Sequence, residues 1–510
     1  MANSYSDTLF ELINSLTKSE KRYFKLYSSR HTIGGQNNSI LLFDFIAKMN
    51  AYEEEKIFKH FSGSSFLNKF SITKNRLYQQ ILSSLDSYHS QDSIENELNK
   101  ALHSADILFG KGLYHQSKKI LDSTKRKALK HNQKLVLLQV IEKQKKYIEK
   151  NIYTNIKPEE LNELFFDEKE IIASLNTHAD LWHIKGQLFK SINNLGTIRS
   201  DDDTKILNQI VAPIENIKVE KLDAESLYLY HHIKSGYFFT VNDLENCYIH
   251  LKANIQMFEL NEPMLKASPN NYFSVITNFI YTCTKLGHYT EADQYLKYFI
   301  ENKTDFLESK DMEIKYLSSR YSLELFLRLE KGELTHAEAL IPEIESTLLV
   351  YSEKISSVRL AYLNFQIGIV LLSQEKHEQA LKWVNKIIDD SQLSVKQDIH
   401  CFAQLIQLII HFELKNYRYL PYVITSTKRF LKDRNRIYRF EEVFLKLIQK
   451  LKSDHLNAID IEDIFRSIEK DIEELKNDKY EKIVFEYFDF SAWLKSKIQR
   501  KTYLEVKMAG

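Results

Sequence analysis

Histidines, cysteines and clustered carboxylates are the side chains that hold metals, attack carbonyls or move protons, and the spacing of this 510-residue chain brings few of them together. His231 and His232 are adjacent, so on a helix they diverge by about 100° and do not converge on one ion. Asp180 and His183 are three apart and share a helical face, but His178 points away from both. Asp201-Asp202-Asp203 is the acidic run most like a cation site; lying ahead of Thr204 and an apolar helical pattern, it reads better as a helix start that the macrodipole favours. Cys247, Cys283 and Cys401 are spaced too widely for a metal knuckle or redox pair, and each sits within a helical apolar pattern, which points to packing rather than a nucleophile. There is no His-Glu-x-x-His, Walker A, Gly-x-Gly-x-x-Gly or Gly-x-Ser-x-Gly phrase. The expectation is a non-enzymatic chain with no catalytic residues, no metal and no cofactor.

Two stretches have the charge for nucleic acid. From Lys118 to Lys150 lysines and Arg126 far outnumber Asp122, Glu142 and Glu149, a face that can track phosphates. The following segment, with Glu159, Glu160, Glu163, Asp167, Glu168 and Glu170, supplies a matching acidic surface, so pairing between neighbouring helices is the preferred reading. Ser71 to Gln80 has the content of a recognition helix, with Lys74, Asn75, Arg76 and Gln79 for base edges. The preceding Glu53-Glu54-Glu55 would repel phosphates, and the join from Ser62 to Phe70 exceeds the usual turn of about three to four residues.

The elements that position these residues are helices. Gly (12) and Pro (6) are too scarce for a turn-rich β fold. Lys+Arg of 70 against Asp+Glu of 69 leaves no global field to recruit nucleic acid or anionic lipid. The longest apolar runs, near Ile367 to Leu372 and Leu405 to Ile410, are far short of a membrane span, and the first ten residues have no basic, then apolar, signal pattern. A reduced, cytoplasmic protein that does not enter a membrane is expected.

One phrase recurs: a turn residue, an aromatic or apolar residue two positions on, then a small residue three further. It is clearest at Gly287-His288-Tyr289-Thr290-Glu291-Ala292, returns from Gly332 to Ala337 and Glu375 to Ala380, and is most degraded from Lys415 to Leu420. Weaker copies run from Asn242 to Cys247 and Gly112 to Ser117. Apolar spacing on both sides is helical, so each copy predicts two amphipathic helices joined by a short turn, with the small residue where they cross. Thr290 and Thr335 are expected as N-caps of the second helices, with Asp293 and Glu338 completing the capping box.

The phrase, with Ile367-Gly368-x-x-Leu371 in the third copy, resembles the tetratricopeptide repeat (TPR). The resemblance implies an all-α, right-handed α-solenoid of long TPR-like hairpins. Equivalent positions Leu244, Tyr289, Leu334, His377 and Tyr417 lie 45, 45, 43 and 40 residues apart, longer than the usual unit of about 34, so longer helices or wider joins are required. HEAT and armadillo units have such lengths but lack the phrase. Carrying over the family's concave first helices nominates Tyr228, His232, Thr277, Tyr281, Phe326, Tyr362, Phe365, Phe402 and Phe412 as partner-binding residues. Being aromatic for the most part, they suit a peptide or helix, or else form core. The family's Lys and Asn clamp for a terminal carboxylate is missing at these positions.

Flanking the array, residues 1–90 read as a helical N-terminal segment, 91–455 as the array and 456–510 as a helical C-terminal cap. Thr17-Lys18-Ser19-Glu20 spells a capping box, and His31 to Asn38 with Gly34-Gly35 a flexible loop. Between Tyr114 and Leu244 there is room for about two further irregular units, visible only as periodic apolar runs such as Leu161 to Ile172 and Leu181 to Ile192. Ile461 to Leu475 and Asp478 to Ile498 read as two more helices, with Phe485, Tyr487, Phe488, Phe490 and Trp493 packed on the last hairpin. The layout is similar to bacterial helical-repeat chains of unassigned function. The expected function is a protein-protein interaction scaffold that binds a peptide or protein on the concave face; the alternative is a transcriptional regulator with N-terminal DNA-binding helices and a TPR-like sensor array.

Overall fold

The recurring phrase is a single backbone device. In the computed structural model Gly112, Asn242, Gly287, Gly332, Glu375 and Lys415 all have left-handed φ, between 57° and 77°. The N–H of the next residue in each case returns to the carbonyl five positions back, as in His288 to Cys283 at 2.9 Å and Asn416 to His411 at 3.0 Å. This is the Schellman closure, which satisfies the last carbonyls of the first helix and reverses the chain in two residues. Five positions after each left-handed residue stand Ser117, Cys247, Ala292, Ala337, Ala380 and Leu420, none more than 2% exposed. The small residue is therefore where the paired helices cross.

The structure describes residues 4–30, 38–89, 93–154, 156–196, 198–307, 309–390, 398–453 and 455–509, and among these every regular element is helical. Most of the expected loop, 31–37, lies outside them. The chain packs as two compact units, 1–173 and 174–510. In the first, helices through Phe70–Tyr88 enclose Leu9, Ile13, Phe24, Phe43, Ile46, Leu77 and Ile81. The Thr17 capping box forms as spelled: Glu20 N–H donates to Thr17 Oγ1 and Thr17 N–H to Glu20 Oε2 at 2.7 Å. The hairpin of Ile94–Gly110 and Tyr114–Lys130, with Lys134–Lys150, buries Leu98, Leu102, Leu121 and Val140.

In the second unit, Ala224–Thr240 pairs with Leu244–Leu260, Pro269–Lys285 with Tyr289–Glu301, and Lys310–Glu330 with Leu334–Ala339 and Ile341–Tyr351. Ser357–Ser373 then pairs with His377–Ile388 and Asp398–Glu413 with Leu420–Asp433. From Pro269–Lys285 onward, each first helix packs on the first helix of the next hairpin. The long repeat comes from both expected sources: first helices of 16 to 21 residues, and joins that carry extra turns such as Lys303–Phe306 and Ser352–Lys354.

The apolar runs near Leu161 and Leu181 belong to one helix, Pro158–Leu195, with no Gly or Pro in the stretch between them. Two expectations are corrected. Thr290 and Thr335 are not N-caps: the Schellman turn starts the helices at Tyr289 and Leu334, and Asp293 and Glu338 pair instead with Lys331 and Lys376 in the next hairpins. Asp478 to Ile498 is not one helix; Asp478 caps a 3-10 turn at Glu481–Glu486, and Asp489 caps a separate helix, Phe490–Gln499.

Candidate functional site

Three adjoining first helices place polar and aromatic side chains at helical spacing on one shared face. Pro269–Lys285 supplies Thr277, Tyr281 and Lys285; Lys310–Glu330 supplies Lys315, Ser319, Ser322 and Phe326; Ser357–Ser373 supplies Arg359, Tyr362 and Gln366. The stripes interlock. Tyr281 stacks on Phe326 with ring centroids 4.7 Å apart, and Lys285 Nζ lies 5.0 Å from the Phe326 centroid. Arg359 Nη1 donates to Ser319 Oγ at 3.0 Å, and Ser322 Oγ donates to Gln366 Oε1 at 2.7 Å.

The chain's own C-terminal segment covers part of this face. Tyr487 stacks on Phe402 at 3.9 Å and meets the edge of Phe365 at 6.4 Å. Lys285 Nζ donates to the Glu486 carbonyl at 2.7 Å and pairs with its carboxylate. Burial works against that ammonium, but Tyr281, Glu486 and Glu330 outweigh it and hold its pKa above the ordinary lysine range.

The nine nominated residues consequently divide. Phe365, Phe402 and Phe412 are buried, the last among Trp493, Phe465 and Tyr417. Tyr228 is buried and stacks on His232, which lies between it and Phe189; burial, aided by Lys185, pushes His232 down to about 4. Thr277 returns its hydroxyl to the Phe273 carbonyl. Phe326 is buried against Tyr281, which is half-buried. Tyr362 remains 38% exposed, yet burial of its hydroxyl pushes the pKa up to about 12 against the opposing effect of its hydrogen bond with Tyr487. Sequence reasoning places Tyr487 against the last hairpin, where Phe402 lies, and misses Lys285, Lys315 and Arg359. Lys285 and Arg359 lie four and three residues from the nominated Tyr281 and Tyr362, whereas Lys315 lies eleven before Phe326.

Elsewhere the charged groups are matched to one another. Lys125 pairs with Asp167 at 2.7 Å, Lys143 with Asp106 at 2.6 Å, Lys145 with Glu168 at 2.5 Å, and Lys127 with Glu97, as expected for the basic stretch. Lys74 turns inward to Glu54 at 3.0 Å and to the Phe70 ring, while Asn75, Arg76 and Gln79 are exposed. Asp201 to Asp203 open helix Asp201–Val211 behind the Ser200 cap, and Asp201 pairs with Lys479 at 2.8 Å. His231 faces His250, Nδ1 to Nδ1 at 2.8 Å, rather than His232. Burial raises the thiol pKa of Cys247 to about 11 and of Cys283 and Cys401 to about 12, so the reactive thiolate is disfavoured at all three. Arg199 is buried with Glu441 at 2.6 Å and with Glu481, its guanidinium over the Tyr438 ring at 4.0 Å. Among the described residues no helix is long and apolar enough to cross a membrane.

No protein-family description, curated protein or solved structure matches this chain.

Proposed function

We propose that the chain is a non-enzymatic scaffold, a TPR-like right-handed α-solenoid that docks a peptide or protein partner on the face shared by its first helices. The observation that carries this reading is the exposure of Tyr362 near the stacked Tyr281 and Phe326, on a face where Tyr487 already packs on Phe365 and Phe402 and hydrogen-bonds Tyr362. That segment of the chain illustrates the mode: the end of the 3-10 turn Glu481–Glu486 offers a backbone carbonyl to Lys285, and the next residue seats an aromatic ring on Phe402. Rigid aromatic anchors next to hydrogen-bonding groups are what a peptide-binding surface needs.

The test is a random-peptide display selection against the full chain, followed by titration of enriched peptides against Tyr281→Ala and Tyr362→Ala. Each substitution is expected to weaken binding about tenfold or more, as loss of a central aromatic anchor does. Peptides that bind the double variant as tightly as the parent, or no enrichment over a blank surface, refute the reading.

A further inference from the structure

The same face carries two cations without a counter-ion. Lys315 Nζ meets only the Asn270 side-chain oxygen and the Phe273 ring, whose centroid is 4.7 Å away. Arg359 reaches only oxygens of Lys315, Ser318 and Ser319, all through Nη1, at 3.5, 3.5 and 3.0 Å. No described carboxylate pairs with either one. Asp311, one turn before Lys315 on the same helix, is exposed and makes no ion pair with them, though its charge acts on both. Both cations are half-buried. Burial, and for Lys315 the charge of Arg359, pushes their pKa values below the ordinary range. By contrast, Lys285 is paired with Glu486, Arg199 with Glu441 and Glu481, and Arg436 with Asp398.

The unspent hydrogen-bonding capacity here is mostly of one kind. Arg359 Nη2 and Nε, two Lys315 N–H groups, the Ser319 hydroxyl proton and the Gln366 amide are donors left over once the bonds above are made, against one spare lone pair each on Ser319 Oγ and Gln366 Oε1. Arg359 and Gln366 share a face of Ser357–Ser373, Lys315 and Ser319 share a face of Lys310–Glu330, and the Arg359–Ser319 bond joins the two helices. Two positive charges and a surplus of donors match a ligand that is doubly negative and accepts in several directions. A guanidinium fork beside an ammonium is the usual protein answer to such a group.

We propose that Lys315, Ser319, Arg359 and Gln366 form a binding site for a phosphoryl dianion, either free phosphate or a phosphomonoester on a docked peptide. The site lies on the proposed docking face, but its phosphate affinity does not depend on any peptide binding there.

The test titrates the full chain with inorganic phosphate against chloride at matched ionic strength, by calorimetry and by thermal shift. Saturable binding is expected, weakened at least tenfold in Arg359→Gln and in Lys315→Gln. Arg429→Gln, which removes an exposed cation elsewhere, should leave it unchanged. Without phosphate Lys315→Gln should not lower the melting temperature, because it relieves repulsion between like charges; Arg359→Gln also loses its bond to Ser319, so its phosphate affinity is read by calorimetry on the folded protein. Phosphoserine peptides and their unphosphorylated forms separate the two sources: a gain confined to the phosphorylated peptide assigns a phosphomonoester, and equal response to phosphate and phosphopeptide assigns the free ion. Absence of saturable phosphate binding by the parent together with no gain on peptide phosphorylation, or affinity unchanged in both site variants, overturns the proposal. Failure of the peptide selection with phosphate binding intact would remove the docking reading and leave the anion site standing.

Discussion

Replacing the left-handed turn residues isolates the device that makes the hairpins. Gly287 has φ +75°, and no heavy atom lies within 4 Å of where a Cβ would stand, so Gly287→Ala changes backbone strain without a clash. An L-residue in this region costs roughly 1–2 kcal/mol. The alanine also restricts the unfolded chain, which offsets about 0.4–1 kcal/mol. The net destabilisation is about 0.5–1 kcal/mol. Glu375 and Lys415 occupy the equivalent positions with φ of 60° and 57°, and both are exposed. Glu375→Gly and Lys415→Gly should therefore stabilise by about the same 0.5–1 kcal/mol each. The two sites share no partner, so the double variant should sum them to about 1–2 kcal/mol. Urea unfolding followed by tryptophan emission reads the effect, since Trp383 and Trp493 are buried in the second unit. If Glu375→Gly or Lys415→Gly destabilises, or Gly287→Ala is neutral, the turns do not owe their geometry to a left-handed residue and the account of the repeat fails.

Three further expectations follow from packing and charge. In Gly368→Ala the new Cβ would stand 3.0 Å from Val384 Cγ2, so buried Val384 must give by a few tenths of an ångström; set against a helix-propensity gain of about 1 kcal/mol, a net loss of about 1 kcal/mol is expected in denaturant unfolding, reversed to a gain in a Val384→Ala background. Arg199→Ala strands two buried carboxylates and should cost about 3–5 kcal/mol, whereas exchanging Arg199, Glu441 and Glu481 together for Met should recover most of that loss. His232 and His250 are both pushed down to about 4, chiefly by burial. Between the ordinary histidine value near 6.5 and pH 4, the unfolded chain binds protons that the folded chain refuses, so stability is full above 6.5 and falls as pH drops, by up to about 3 kcal/mol for His232 and by less for the more solvent-screened His250. Melting temperature against pH should show this fall, and His232→Phe should shallow it.

How much the sequence discloses depends on whether a residue's role is set by local backbone or by distant neighbours. Gly287, Gly332 and Ala292 are legible because φ and helix crossing distance restrict residue type within a few positions. Even Glu375 and Lys415 are found, since the phrase around them survives their unfavourable type. The capping threonines are misread because an Ncap spelling does not reveal that the preceding turn already starts the helix. The register from 130 to 225 is opaque for a different reason: one continuous helix replaces a hairpin there, so no turn marks it. At the candidate site the aromatics Tyr281, Phe326 and Tyr362 are nominated through the resemblance to the tetratricopeptide repeat. Lys315 and Arg359 are not, because a lysine lacking an acid partner looks, in sequence, like any solvated lysine.

The bonds from Arg199 to Glu441 and Glu481 join residues 242 and 282 positions apart. A row of hairpins held only by adjacent contacts melts progressively from whichever terminus is weakest. A clasp between an early loop and the final helices removes that freedom, because neither end can fray without exposing buried charge at the other. The second unit should consequently lose its structure in a single all-or-none step, and severing the clasp should split that transition into several.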